Sequence, residues 1–325
     1  MTVLDVLAGS EAHPYAPGLA AVSAETLAAQ GAEAHLVALG GDGAVRARCS
    51  LWWTHAPRHA GAPAGALGHY AALDDEAAAV LLGEACARLR VEGCHAALGP
   101  LDGSTWRPYR FVTERAPKGG AAAPPFFLEP DHPAAYPAQW VRAGFAPTEH
   151  YHSAAGLLAP AEALPLPEGV ALRPFDAACP DGDLRALHAL ALRAFAQNPY
   201  FTPISEVEFV AMYGALLPAV PPELVVLAER GGALVGVALG VPDLLERARG
   251  GVETFVLKTL AVAPEEEGRG LGRALLAHAH ARAYGLGFRR VVHALMHGEN
   301  RSARLSTRAG AASVIRRYAL FARAL

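Results

Sequence analysis

The sequence predicts an α/β (α+β) chain built of two similar halves in tandem, and three observations carry that expectation. The chain has 325 residues, 52% hydrophobic and 18% charged, enough for two domains with sizeable cores. A Pro- and Ala-rich stretch at 157–169 (LLAPAEALPLPEG) follows neither a helical nor an alternating period and reads as a linker between residues 1–156 and 170–325. The segments on either side of it carry strands, hairpins and helices in the same order, which indicates an internal repeat.

In the first half, Val3 to Leu7 reads as a strand and Pro17 to Ala29 as a helix. Ala34 to Leu39 and Val45 to Trp53 form a hairpin around Gly40-Gly41-Asp42-Gly43. Leu67 to Leu73 is a strand, Asp75 to Arg90 a helix and His95 to Leu98 a strand, with a last strand near His150. In the second half, Val170 to Phe175 is a strand, followed by a helix from Asp183 to Gln197 with Asp183 as its cap. Ser205 and Glu208 form a capping box for a helix to about Leu217. Leu224 to Glu229 and Ala233 to Val241 pair across Arg230-Gly231-Gly232, and Ser313 to Arg323 closes the chain as a strand.

The most informative stretch runs from Thr254 to Asn300: a buried strand (TFVLKTLAV), a glycine-rich turn (APEEEGRGLG), a helix and a second strand (RRVVHALMH). Glycines at a strand-to-helix junction expose the unpaired N–H groups and positive dipole end of the helix. Gly268, Gly270 and Gly272 lack a Cβ, so a phosphate can come close to the backbone, and Arg269 and Arg273 add cationic donors. The turn has no Lys for a phosphate-binding GxxxxGK[ST] loop. A dinucleotide fingerprint fails too, because the sixth position is Arg273 or Leu275, depending on the starting glycine.

What fits is Q/R-x-x-G-x-G/A after a strand ending in Val-x-Pro. With Leu260-Ala261-Val262-Ala263-Pro264 and Gly268-Arg269-Gly270-Leu271-Gly272, this segment resembles the coenzyme A turn of the GCN5-related N-acetyltransferases (GNAT). The position for Gln or Arg holds Glu267 here, a carboxylate that would repel a diphosphate by roughly 1 kcal/mol if solvated. In the first half, Ala72-Leu73-Asp74-Asp75-Glu76 stands where the turn should be. The resemblance therefore implies two GNAT-like domains, each a mixed, mostly antiparallel twisted sheet flanked by helices, with a degenerate first half. It implies acetyl-CoA as co-substrate, with Leu260, Ala261 and Val262 offering backbone to the pantetheine arm. The Val262 N–H would polarise the thioester carbonyl, residues 267 to 273 would lie around the diphosphate, and Asn300 would contact the pantetheine or the adenine side. Asn300 reads equally as a helix N-cap with Ser302.

Acetyl transfer to an amine needs a proton acceptor, a donor for the developing oxyanion and a proton for the leaving thiolate. Family members often place a Tyr four residues before Gly-Phe; here that position holds Ser306, and Tyr318 on the last strand is the substitute. For the base, Glu253, Lys258 and a water-relayed His293 stand open. His293 and His297 should face the same side of their strand, about 13 Å apart, too far for a shared metal. His278 and His280 read as surface residues. Tyr200, Phe201 and Tyr213 are candidates for lining the acceptor pocket. In the first half, Trp106-Arg107-Pro108-Tyr109-Arg110 and Phe126-Phe127-Leu128-Glu129-Pro130 suit an anionic or aromatic ligand, or simple anchoring.

A net charge of -3 favours neither nucleic acid nor an anionic membrane as partner. The four cysteines show no metal spacing and read as reduced thiols, no metal is expected, and the N-terminus lacks a signal peptide, so the expected location is cytoplasmic. The function expected is an acetyl-CoA-dependent N-acetyltransferase acting on a primary amine of a small molecule or peptide, by direct attack in a ternary complex. O-acyl transfer is not separable from it. The alternative is a non-catalytic acyl-CoA-binding or sensing protein. The resemblance also carries a homodimer as one expectation.

Overall fold

Among the described residues, thirteen strands make one mixed sheet. The computed structural model describes residues 1–7, 13–115, 122–160, 164–298 and 313–325. The first half supplies β1 (Thr2–Asp5), α1 (Ala24–Ala29), β2 (Ala34–Leu39), β3 (Val45–Trp52), β4 (Ala64–Ala72), α2 (Asp75–Val91), β5 (Ala96–Gly99), β6 (Phe111–Glu114), α3 (Tyr136–Arg142) and β7 (Ala146–Leu157). The second supplies β8 (Val170–Pro174), α4 (Pro180–Ala194), α5 (Glu206–Leu216), β9 (Val225–Arg230), β10 (Ala233–Pro242), β11 (Thr254–Val262), α6 (Leu271–Gly285), β12 (Arg290–His297) and β13 (Ser313–Ala324).

Across the sheet the order is β1-β2-β3-β4-β5-β13-β7-β12-β11-β10-β9-β8, with β6 also paired to β13. Each half thus gives its last strand to the other. β7 lies beside β12 (Val292 opposite Ala155), and β13 lies between β5 and β7 (Ala322 opposite Leu98, Tyr318 opposite Tyr151). Ala319 and Phe321 of β13 pack into the core of the first half, around Leu36, Leu51, Leu81 and Trp140. Burying Phe321 alone contributes roughly 1.5–3 kcal/mol, so the exchange joins the halves energetically as well as in topology. The segment expected as a linker connects β7, at the middle of the sheet, to β8 at its edge.

Both halves contain one parallel pair bridged by a helix: β4-α2-β5 and β11-α6-β12. A parallel pair needs such a crossover, whereas the antiparallel neighbours are joined by tight turns, as at Gly231 and Gly232, whose φ values of 57° and 80° fit the hairpin from β9 to β10. Helix α2 begins at a side-chain cap, Asp74, whose carboxylate accepts from Ala77 N at 2.8 Å. Its Ala78, Leu82, Cys86 and Leu89 face the core at helical spacing.

Three local expectations need correction. The helix expected from Pro17 forms only over Ala24–Ala29: Gly18 turns the chain at φ 87°, Arg48 Nε donates to Ala20 O at 2.6 Å, and Ser23 is the cap. Asp183 is not a cap: α4 starts earlier, at Pro180, and Asp183 turns inward to accept from Arg173 at 2.5 and 2.8 Å. Strand β6 and helix α3 were not anticipated, being short and set among prolines. No helix among the described residues is long and apolar enough to cross a membrane.

Candidate active site

The site begins where a parallel pair stops. β11 and β12 are in register from Thr254 opposite Arg290 to Leu257 opposite His293, and there the pairing ends. β12 leaves because it follows β7 through an irregularity between His293 and Met296, where Leu295 takes φ 58°. The bulge is held from both sides: Leu295 N donates to Ser153 Oγ at 2.9 Å, and Leu295 O accepts from Arg110 Nη1 at 3.0 Å. The far end of β11 is left with an open edge. Ala263 N donates to Val235 O of β10 at 2.8 Å. Antiparallel ladders alternate, so Ala261 also turns its N–H and C=O to β10, while Leu260 and Val262 turn theirs to the gap. Of the three residues expected to offer backbone, Ala261 is therefore the exception.

The open edge leads to the glycine turn. A single 3-10 turn (Pro264–Glu266) precedes Gly268 and Gly270, at φ 78° and 85°. Gly270 is the N-cap of α6, no side chain caps that helix, and no acid lies in its first turn. A Cβ added at Gly268 or Gly270 would meet nothing within 4 Å, so open space lies over this backbone. Glu266 points inward and is held by Arg230 at 2.6 and 3.0 Å; Glu267, Arg269 and Arg273 are exposed. The matching helix start in the first half is closed. There Asp74 fills the N-terminus of α2, Arg46 binds Asp74 at 2.7 Å, and Asp75 and Glu76 occupy the first turn. An anion would meet free amides at α6 and carboxylates at α2.

On the splay itself sits a cavity of about 690 Å³, walled by both halves. β11 lines it with Val256, Lys258 and Thr259, and β12 with Ala294, Leu295 and His297. Trp106, Arg107, Tyr109 and Arg110, together with 126–130, come from the first half; Phe195, Phe201, Met212 and Tyr213 come from the second. Arg107 clamps the halves, donating to Glu208 Oε1 at 2.9 and 2.5 Å, and Trp106 Nε1 donates to Thr202 O at 2.8 Å. Glu129 is buried beside Arg316 Nε, 3.2 Å away, and accepts from Tyr318 OH at 2.5 Å; burial raises its pKa.

Residues 189–311 match the family described as Acetyltransferase (GNAT) family. That stretch of the second half carries a GNAT-family domain. The chain is similar in fold to a GCN5-related N-acetyltransferase from Sphaerobacter thermophilus (18% identity, 89% of this chain and 80% of that one, TM-score 0.53). A tandem GNAT protein from the clavulanic acid biosynthesis pathway is also similar (15% identity, 90% and 82% covered, TM-score 0.52). So is a fungal multi-domain GH3 β-N-acetylglucosaminidase described as having a GCN5-related glucosamine N-acetyltransferase region (14% identity, 92% of this chain and 34% of that one, TM-score 0.55). At these identities the likeness concerns the fold. No curated protein sequence matches the chain. The GNAT fold generally binds acetyl-CoA.

The other anticipated site residues fall as follows on this GNAT frame. Asn300 and Ser306 lie outside the described residues. Tyr318 is fully buried and stands one hydrogen bond behind the cavity wall, joined to Glu129 and, at 3.0 Å, to Ser153 Oγ. Phe201 and Tyr213 line the cavity. Tyr200 does not: at φ 59° its ring turns to the first half, where its hydroxyl meets His59 Nδ1 at 2.8 Å. His293 and His297 do not share a face, because the bulge at Leu295 reverses the alternation between them. His293 packs under α6, its Nε2 2.9 Å from that of His280, and burial holds its pKa down to about 3. His280 is accordingly no surface residue. His297 faces the cavity with Nε2 2.6 Å from Glu149 Oε2. Glu253 is at the opposite end of β11, 3.6 Å from Arg290, whereas Lys258 is on the cavity wall. The segments around Trp106–Arg110 and Phe126–Pro130, distinctive in composition, come together on one wall only in the fold. Among the described residues no cluster of three or more His, Cys, Asp or Glu could hold a metal ion.

Proposed function

We propose that the protein is an N-acetyltransferase that moves an acetyl group from acetyl-CoA to a primary amine held in the cavity between the halves, by direct attack in a ternary complex. The observation that carries this reading is the continuity of the open β11 edge, with Leu260 and Val262 facing the gap, the uncapped start of α6 at one end and the cavity at the other. Leu260 and Val262 would hold the pantetheine arm, and the first-turn amides of α6 with Arg269 and Arg273 would hold the diphosphate. Gly268 and Gly270 fit this, since neither puts an atom in the way. The co-substrate supplies an activated thioester. A C–N bond forms to the acyl carbon as the C–S bond breaks; the amine gives up a proton and the thiol leaves carrying one.

The chain's own residues would position and polarise. Val262 N–H lies on the open edge to receive the developing negative charge of the carbonyl oxygen. His297, oriented by Glu149, is the basic group of the cavity wall suited to take the amine's proton. The aromatic walls exclude water and fix the acceptor, which raises the effective concentration of the amine at the thioester. Calorimetric titration with coenzyme A, followed by thiol release from acetyl-CoA over a panel of primary amines, tests the reading. Binding with amine-dependent release supports it; binding without release on any amine, or no binding, refutes it.

A further inference from the structure

The cavity wall holds a cation that no carboxylate among the described residues balances. Arg110 is 5% exposed, packs against the mutually perpendicular rings of Tyr109 and Tyr151, 3.7 and 3.9 Å from their centres, and has no carboxylate partner among the described residues. Its backbone is in the left-handed region at φ 70°, a conformation that costs about 1–2 kcal/mol for a non-glycine residue. The guanidinium makes one hydrogen bond among the described residues, from Nη1 to Leu295 O; Nε is buried without a partner. The edge formed by Nε and Nη2 is the edge that accepts a carboxylate through two parallel bonds. Without an anion beside it, burial pulls the Arg110 pKa down to about 10, which still leaves it charged at neutral pH. Lys258, on the same wall, also has no carboxylate partner among the described residues; its ammonium stands 5.4 Å from the centre of the Tyr213 ring. Two other charges on the wall are matched, Arg107 by Glu208 and Glu129 by Arg316, while His297 is hydrogen-bonded to Glu149.

A buried cation without a counter-ion is costly unless a ligand completes it. We propose that Arg110 is the recognition site for a carboxylate on the acceptor, so that the acceptor is an amino acid or a closely related amino-carboxylate with an apolar side chain. This rests on the acyl-transfer reading and narrows its acceptor class. Three observations converge. The Nε and Nη2 donors, which no described group satisfies, select a planar anion. Leu295, to which Arg110 is bonded, is the bulge residue at which β12 departs, which puts the guanidinium beside the gap. Trp106, Phe195, Phe201 and Tyr213 give the remainder of the acceptor an aromatic wall.

The test compares isosteric probes on the wild-type protein, so it does not depend on a variant folding. Calorimetry is run with 3-phenylpropionate and with the neutral 3-phenylpropanamide, and thiol release from acetyl-CoA is measured with L-phenylalanine, L-phenylalaninamide and phenethylamine. The expected result is at least tenfold tighter binding of the carboxylate than of the amide, with the same order in kcat/KM. Arg110→Gln removes the preference and Arg110→Lys keeps part of it. Equal affinity for the two probes, no binding of either at millimolar concentration, or a preference that survives in a folded Arg110→Gln variant overturns the assignment. Coenzyme A titration separates this from the parent reading. Thiol release that is indifferent to the carboxylate sinks the assignment alone. Carboxylate binding without any coenzyme A binding sinks acyl transfer and leaves the Arg110 site standing.

Discussion

Two substitutions at Gly270 separate what the turn needs from what an anion needs. Gly270 sits at φ 85°, ψ -3°, so any L-residue there costs about 1–2 kcal/mol in backbone strain. No atom lies within 4 Å of an added Cβ, so no steric term is added. Gly270→Ala should therefore lower stability by about 1–2 kcal/mol while changing affinity for coenzyme A by less than about threefold, or under about 1 kcal/mol. Gly270→Asp has the same strain, offset by a few tenths of a kcal/mol because Asp is a slightly better N-cap than glycine and a much better one than alanine. It also puts a negative charge at the diphosphate seat. At about 5 Å each like-charge pair is repelled by about 1 kcal/mol in water and about 3 kcal/mol at the effective dielectric of a protein surface. The Asp variant should then be at least as stable as the Ala variant yet bind coenzyme A at least about tenfold more weakly. Urea unfolding gives the first quantity and calorimetry the second. If both variants are folded and the Asp variant binds as tightly as the Ala variant, the seat is not at α6.

Val262→Pro removes the one N–H assigned to the oxyanion without breaking a ladder bond, so kcat should fall about 100-fold or more with little change in coenzyme A affinity; single-turnover thiol release reads this, and an unchanged rate assigns the donor elsewhere. Gly240→Ala would set a Cβ 1.8 Å from the Phe255 ring in the core. Overpacking of this kind costs about 1–3 kcal/mol, so the urea midpoint should drop, and an unchanged midpoint contradicts the packing described. Burial holds His35, His69 and His280 down to about 4. The unfolded chain takes up these protons first, near pH 6.5, so stability is full above that pH and declines as pH falls towards 4. Urea midpoints at pH 7.5 and 4.5 should differ in that direction, and a higher midpoint at pH 4.5 would contradict it.

What the sequence made readable was local. Apolar runs bounded by glycines gave the β9–β10 hairpin and the β11-turn-α6-β12 unit, because period, breaker and cap all lie within a few residues of one another. Partner choice was not readable. Nothing in Ser313–Ala324 says that it pairs with β5, more than two hundred residues earlier in the chain, rather than with β12, since a strand's pattern defines its faces and not its neighbour. Single positive-φ residues were equally silent. Leu295 and Tyr200 are bulky side chains in a region they seldom adopt, and each redirects one candidate: His297 comes into the cavity, Tyr200 leaves it. Arg110 was noticed for its aromatic neighbours, but its missing counter-ion is a property of the folded surroundings. Residues 17–23 have an apolar, Ala-rich composition that suits a helix, yet they form a turn at Pro17-Gly18 and then irregular backbone; the contact to Ala20 O comes from Arg48, 28 residues away.

The central claim is that a thioester carrier lies along the free edge of β11 with its diphosphate on the uncapped start of α6. A crystal structure of the protein with coenzyme A tests it directly. The account predicts pantetheine beside Leu260 and Val262 and diphosphate oxygens within hydrogen-bond distance of the amides that follow Gly270. A nucleotide bound instead at the start of α2, or anywhere in the first half, would contradict it.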